Sequence, residues 1–193
     1  MARPLFYNTW SAFHFLPRFK KIKAEVCREG AKTILDLGCG TGLFKKHCPG
    51  CDYVGIDNNP LYIDYAKKKL GGNFILGDML SPEKHLGDNR FDAVILNGVL
   101  HHLEDRSITM LTKKIGAYLN PEGVIIIVDH VYKEHLNAIN KLLLKYDRGS
   151  FSRAQTSFET LFKDFNIKSY KEFNIQAGAF VFWVQCLIVL KMK

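Results

Sequence analysis

Five short apolar runs rich in β-branched and aromatic residues, Thr33–Leu37, Tyr53–Ile56, Asn73–Leu76, Phe91–Leu96 and Val124–Val128, alternate along the chain with segments of helical period. Runs that are both short and almost continuously apolar suit strands buried on both faces. Buried strands joined through helices form a mostly parallel sheet covered on both sides, so the predicted class is α/β. The helix signals between the runs are local. Asn59 can cap a helix that begins at Pro60, and Gly71-Gly72 can stop it after Leu70. Glu104 or Asp105 can start another, with Ile108, Leu111, Ile115 and Tyr118 on one face and Asn120-Pro121 as its end. A third helix is expected over about 133–146, with Leu136, Ile139, Leu143 and Tyr146 facing inward. Beyond Asp147-Arg148-Gly149 the alternation changes: a short helix near Gln155–Phe162 precedes two strand-like runs, Asn166–Phe173 and Ala179–Leu190, expected to form an antiparallel pair.

The chain of 193 residues suits one compact domain, which at this size buries roughly 70% of its unfolded surface. Its 47% hydrophobic and 24% charged content excludes a disordered chain. The longest apolar run, Ala179–Leu190, is shorter than the roughly 20 residues of a membrane span and is interrupted by Gln185, so no membrane span is expected. Pro4, Asn8, Trp10, His14 and Pro17 break the pattern a signal peptide would need, and a cytoplasmic location is the expectation. Five cysteines then read as reduced thiols. Cys48 and Cys51 form a CxxC beside His47, but zinc would require further ligands, and no metal is expected.

The net charge of +8 sits at the two ends: residues 1–30 carry +4, residues 31–132 carry −1 and residues 133–193 carry +5. That distribution favours an anionic partner near the ends, or simply solvated lysines. In residues 1–30, Phe6, Trp10 and Phe13 share a helical face and Arg18, Lys20, Lys21 and Lys23 make a basic stretch. The segment is expected as a helical lid over a substrate, with Tyr7 and Trp10 as candidate contacts, ahead of a single domain at 31–193. The alternative is a helix packed on the sheet edge with a solvated basic side.

The most specific stretch is Ile34-Leu-Asp-Leu-Gly-Cys-Gly-Thr-Gly-Leu-Phe44, a buried strand running into Gly38, Gly40 and Gly42 and then into a helix. Glycines there permit tight turning and close approach of a ligand to the backbone, at the end of the strand where open α/β sheets bind ligands. Dinucleotide sites use G-x-G-x-x-G to set a pyrophosphate on a helix N-terminus, whereas here the third glycine comes one position early. Asp36, just ahead of the loop, would repel a pyrophosphate but suits an ammonium group. A nucleotide-type ligand with no phosphate and a positive charge is indicated. Asp57, at the end of the second strand and 15 positions past Gly42, is placed to accept the hydroxyls of a ribose. At the end of the third strand Asp78 is a candidate for an adenine amino group and Met79 for the ring face.

On these residues the segment Thr33–Asp129 closely resembles the class I S-adenosylmethionine-dependent methyltransferases, in particular their small-molecule branch. The resemblance implies a Rossmann-like seven-stranded sheet with a reversed last strand. It implies S-adenosylmethionine as cofactor, with the LDLGCGTG loop at its amino-acid part through Gly38 and Gly40, Asp57 at the ribose, and Asp78 at the adenine. Cys39, Asn58 and Asn97 complete the candidate cofactor set.

Methyl transfer from a sulfonium is a direct displacement in which holding the acceptor in line supplies much of the acceleration, and a base is needed only if the acceptor must lose a proton. His101, His102 and His130 are the candidate bases, since histidine titrates near neutrality. The His101-His102 pair also resembles one that lines the cofactor pocket in small-molecule members of the family without doing chemistry. No Asn-Pro-Pro-Tyr or Asp-Pro-Pro-Tyr follows the fourth strand, which disfavours methylation of base amino groups. The expected partner is therefore a small acceptor, an anionic one if Arg148 and Arg153 clamp it. The competing readings are an RNA or tRNA methyltransferase using the basic ends as phosphate contacts, and a non-catalytic subunit that binds the cofactor and stabilises a partner.

Overall fold

The computed structural model describes residues 4–133, 151–177 and 180–193; within these, side chains are described for 16–133, 151–176, 181 and 183–193. The described elements are α1 (Pro4–Arg28), β1 (Thr33–Leu37), a 3-10 helix (Leu43–His47), β2 (Asp52–Asp57), α2 (Pro60–Leu70), β3 (Asn73–Leu76), α3 (Glu83–Leu86), β4 (Phe91–Asn97), a second 3-10 helix (Leu100–His102), α4 (Asp105–Gly116), β5 (Leu119–His130), α5 (Gln155–Leu161), β6 (Phe165–Ala177) and β7 (Phe180–Met192). They build one seven-stranded sheet in the order β3-β2-β1-β4-β5-β7-β6. The strands from β1 to β5 pair in parallel, while β7 is antiparallel to both β5 and β6. This is the Rossmann-like sheet with a reversed last strand that the sequence implied.

The continuous apolar runs exist because both faces are covered. On one face Phe19, Ile22 and Val26 of α1 and Ile63 and Ala66 of α2 pack on Ile34, Ala93, Ile95, Val124, Ile126, Val128, Leu187 and Val189. On the other, Ile108, Leu111 and Ile115 of α4 and Phe158 and Phe162 beside α5 pack on Val94, Leu96, Ile125, Ile127, Cys186, Ile188 and Leu190. Alternate residues of β4, β5 and β7 thus feed opposite cores, and each fully buried aliphatic side chain contributes roughly 1.5–3 kcal/mol. The C-terminal half of α1 is part of this packing.

Several boundaries differ from the sequence reading. The segment after the glycine loop is a five-residue 3-10 helix, because Pro49 disfavours helical backbone at Cys48 and Gly50 follows at once. α4 ends at Gly116, short of Tyr118. β5 starts at Leu119, and its pairing with β4 shifts register between Phe91 and Ala93, which accommodates Pro121 in the strand. β6 and β7 are 13 residues each and longer than expected, and β7 is inserted between β5 and β6, so that of this pair β6 alone stands at an edge of the sheet. The cap of α2 follows the sequence: the Asn59 side chain accepts from Leu61 N at 3.1 Å, Pro60 opens the helix and Gly71 closes it. Of the helix expected over 133–146, Lys133 is described and is not helical, and residues 134–146 lie outside the described residues. No described helix is long and apolar enough to cross a membrane.

At the amino edge of the sheet Asp92 ties three strands together. Its Oδ2 accepts from Lys32 N and Thr33 N at 2.9 and 3.0 Å, and its Oδ1 from Asn120 Nδ2 at 2.7 Å, while Asp92 N donates to Thr33 Oγ1 at 2.9 Å. Burial works against ionisation, but the donors from Asn120, Lys32 and Thr33 prevail and hold the carboxyl down at about 2. A carboxyl whose folded value lies below its unfolded one stabilises the fold above the unfolded value, near 4, and the contribution disappears as pH falls through about 2. Asp92→Ala is expected to lower unfolding free energy by about 1–3 kcal/mol at pH 7. In urea titrations the difference from the parent should shrink progressively between pH 4 and pH 2; a difference independent of pH would contradict the role.

Candidate cofactor and acceptor site

The carboxyl ends of β1, β2, β4 and β5 carry the polar residues that the faces of the sheet exclude. From β1 the chain enters the glycine loop, where Gly38, Gly40 and Gly42 have φ of 76°, 56° and 72°. Gly38 is fixed for two reasons: its left-handed φ, and the Val99 Cγ1 atom 2.4 Å from where a β-carbon would stand. Gly42 carries the ring of Phe74 at 2.5 Å from the same position. The loop is pinned from β2 by Asp57, whose Oδ2 accepts from Gly40 N at 2.8 Å and whose Oδ1 accepts from Asn59 N at 2.9 Å. Burial raises the Asp57 carboxyl, and the two backbone donors offset part of that rise. Each of its oxygens retains a lone pair for a ligand hydroxyl.

Behind the loop, Asp36 is 3% exposed. Its Oδ2 accepts the Tyr53 hydroxyl, whereas Oδ1 has no hydrogen-bond partner. Burial pushes the carboxyl up to about 7; the Tyr53 hydroxyl pulls the other way, and nearby Asp57 adds to the rise. Asp36 lines a cleft with Phe19, Gly38, Cys39, Thr41, Leu43, Phe44 and Asn97, and the Asn97 Oδ1 there is also buried without a partner. Two unsatisfied acceptors in one cleft, one of them a carboxylate oxygen, are arranged for a donor that carries positive charge. The donor-seeking atoms of the cleft therefore suit an ammonium group such as the amino-acid end of S-adenosylmethionine carries.

Of the candidate cofactor residues, Asp36, Gly38, Cys39 and Asn97 line one cleft, with Asp57 joined to it through Gly40. Asn58 is exposed beyond β2. Asp78 is exposed and its Oδ1 accepts from Leu80 N at 2.9 Å, while half-buried Met79 places its sulfur 3.6 Å from the β-carbon position of Gly38. The sequence reading missed Phe19, Thr41, Leu43, Phe44 and Tyr53. Tyr53 had a usable signal, a phenol in an otherwise apolar buried strand, which needs a polar partner.

A second cluster follows at β5. Asp129 is buried and takes four contacts: Leu100 N at 2.7 Å, His101 N at 3.3 Å, His130 N at 2.7 Å and His101 Nδ1 at 2.6 Å. Burial opposes its charge, but His101 and the neighbouring donors win and hold the carboxyl well below the usual range. The His101 and His130 rings stand edge to face at 4.7 Å, and exposed His102 lies 4.1 Å from His101. Arg18 of α1, only 5% exposed, brings Nη2 to 3.4 Å from His130 Nε2. In the sequence Arg18 was one of a basic stretch; its neighbours on the sheet could not be read there.

Arg153, expected to clamp an anionic acceptor, is instead turned inward. Its guanidinium donates to the carbonyls of Leu100, Leu103 and Phe151 and pairs with Asp105, fastening the loop that carries the histidines. Arg148 lies outside the described residues, as do the side chains of Tyr7 and Trp10. Among the described residues no group of three His, Cys, Asp or Glu is arranged to hold a metal ion. Cys48 is buried and Cys51 half-buried in the packing under α1.

Comparison with known proteins bears on the family and the fold. Residues 28–174 match the family model described as a methyltransferase domain. The human thiol S-methyltransferase TMT1B is 29% identical over 58% of this chain and 48% of its own length. The human probable tRNA methyltransferase 9B is 31% identical over 58% of this chain and 24% of its own. Among solved structures, human N-acetylserotonin methyltransferase in complex with S-adenosylmethionine superposes with a TM-score of 0.68 at 20% identity, covering 90% of this chain and 51% of that one. The chain spans about half the length of several relatives it matches. With the family model covering about three quarters of the sequence, the chain belongs to the family of S-adenosylmethionine-dependent methyltransferase domains.

Proposed function

We propose that the domain transfers the methyl group of S-adenosylmethionine to a small molecule held between the carboxyl ends of β4 and β5 and the helix α1. The observation that carries the cofactor half of this reading is Asp36, a buried carboxylate with one oxygen lacking a partner inside a glycine-lined cleft. The bound cofactor supplies a methyl group already activated on a sulfonium. Asp36 and Asn97 are assigned to its amino-acid end, the Gly38 and Gly40 backbone to close approach, Asp57 to the ribose hydroxyls, and Asp78 with Met79 to the adenine. The protein's further contribution is to exclude water and hold the acceptor atom in line.

His101 is the residue best arranged to receive a proton from an acceptor that must lose one. Asp129 fixes the ring from Nδ1 and stays ionised, so a charge arising on the imidazole is compensated. Exposed His102 and Arg18-bound His130 are assigned supporting roles in lining the site. Four lysines are held in ion pairs on the protein's own surface, Lys168 with Glu29, Lys171 with Glu25, Lys133 with Glu172 and Lys191 with Glu122, while the excess positive charge of the two ends remains.

Three measurements test this. In calorimetric titrations S-adenosylhomocysteine should bind the parent protein, and Asp57→Ala should weaken it at least about tenfold, the factor corresponding to about 1.4 kcal/mol. Wild-type binding at the same strength in the variant would remove Asp57 from the site. Because the Asp36 carboxyl is raised to about 7 and the ammonium requires its ionised form, affinity should fall as pH is lowered from 8 to 6, approaching tenfold per unit below 7. Asp36→Asn should bind weakly with a flat profile over that range; a sloping profile in the variant would assign the proton elsewhere. In an S-adenosylhomocysteine-release assay over phenols, thiols and amides, His101→Ala should lower turnover about 100-fold on acceptors that lose a proton, and His102→Ala less than threefold. Equal effects of the two substitutions would sink the assignment.

A further inference from the structure

Gln185 is 0% exposed, and neither its amide oxygen nor its amide nitrogen has a hydrogen-bond partner. It lies on β7, the reversed strand, opposite His130 of β5 and Phe173 of β6. The residues that follow it on the same face of β7, Leu187 and Val189, belong to the apolar core under α1. An aliphatic side chain would continue that row without strain, whereas a buried amide with both ends unmet is among the less favourable choices a strand can carry. Gln185 also stands at the carboxyl edge of the sheet, level with His130, where the cofactor cleft and the histidine cluster are found.

The surroundings connect this amide to the reaction site. Asn97 lines the cofactor cleft; the next residue, Gly98, lies under the Arg18 guanidinium, whose Nη1 is 2.6 Å from the β-carbon position. Arg18 in turn contacts His130, the strand partner of Gln185. The rings of Phe173 and Trp183 flank the region, the first with Lys21 of α1 at 4.7 Å and the second 6.0 Å from His130. Gln185 is two strands from β4, roughly 10 Å at the usual inter-strand spacing. It is therefore too remote to touch the cofactor's amino-acid end and placed to meet the far end of an acceptor whose reacting atom lies near β4.

We propose that Gln185 is the acceptor-recognition residue, binding an uncharged planar group that offers one hydrogen-bond donor beside one acceptor, a carboxamide or lactam, at the end of an aromatic acceptor away from its methylated atom. The inference rests on the methyltransferase reading above and names the chemical class of the acceptor. A carboxylate would satisfy the amide nitrogen of Gln185 and leave its carbonyl oxygen without a donor, whereas a carboxamide or lactam edge satisfies both atoms in one plane. The pattern follows a general asymmetry of recognition: a site built from buried hydrogen-bonding groups rejects a ligand that leaves them unpaired.

The test uses the full chain saturated with S-adenosylhomocysteine, with benzamide, benzoate and toluene as probes followed by nitrogen-edited NMR, in the parent and in Gln185→Met. Benzamide should shift the Gln185 side-chain amide signal, identified by its loss in the variant, and should bind the variant at least tenfold more weakly. Toluene should bind both alike, and benzoate should bind the parent more weakly than benzamide does. Without ligands Gln185→Met should melt about 2 °C or more above the parent, because it removes an unmet buried amide. Equal benzamide affinity in both proteins, a preference for benzoate, or a lower melting temperature in the variant would each overturn the proposal while leaving the methyltransferase reading intact. Failure of S-adenosylhomocysteine to bind the folded parent would overturn that reading and this proposal with it.

Discussion

A sheet covered by helices on both faces can carry polar chemistry only at its ends, and this constraint organises the molecule. β4, β5 and β7 place almost every side chain in one of two apolar cores, so charged residues collect where the strands stop. The two edges are then used differently. At the amino edge Asp92 meets four hydrogen-bonding groups and serves the joining of β1, β4 and β5. At the carboxyl edge the same residue type is distributed over Asp36, Asp57 and Asp129, with three different degrees of satisfaction.

Those degrees separate roles. Asp129 is met by three backbone donors and a histidine ring, so it is ionised and fixed, and it holds the Leu100–His130 region as one piece. Asp57 is met on each oxygen once and keeps capacity for a ligand while it pins Gly40. Asp36 has one oxygen met and one bare, and burial raises its carboxyl to about 7. A buried carboxylate in that condition destabilises the empty fold when ionised and gains most when a cation arrives, which is the behaviour expected of a ligand-binding group.

Much of this was legible in the sequence, for physical reasons that differ by element. The strand runs were visible because double burial makes them continuously apolar. α2 was legible to the residue because Asn59, Pro60 and Gly71 each act locally. Asp36, Gly38, Asp57 and Asn97 could be placed together because each stands at a strand end, and strand ends share one edge. What could not be read was contact between distant segments. Arg18 and Arg153 look alike in sequence, as basic residues near an end of the chain, yet both are buried: one beside His130, the other bonded to the loop bearing His101. The helix after the loop is a short 3-10 turn, and the reason is local: Pro49-Gly50 stops it.

Gln185 shows how the two kinds of information combine. In the sequence it was only the polar residue interrupting Ala179–Leu190, a run already too short for a membrane span. In the fold it occupies a wholly buried position on a strand whose neighbouring positions on that face are Leu187 and Val189. A polar residue that interrupts an apolar pattern and finds internal partners, as Tyr53 does with Asp36, is explained by the fold. One that finds none at the carboxyl edge keeps hydrogen-bonding capacity that a ligand can take up. The bare atoms of Asp36, Asn97 and Gln185 stand on β1, β4 and β7 along the carboxyl edge. In the proposed reading the order of strands becomes the order of the reactants, the cofactor's amino-acid end at β1 and the far end of the acceptor at β7.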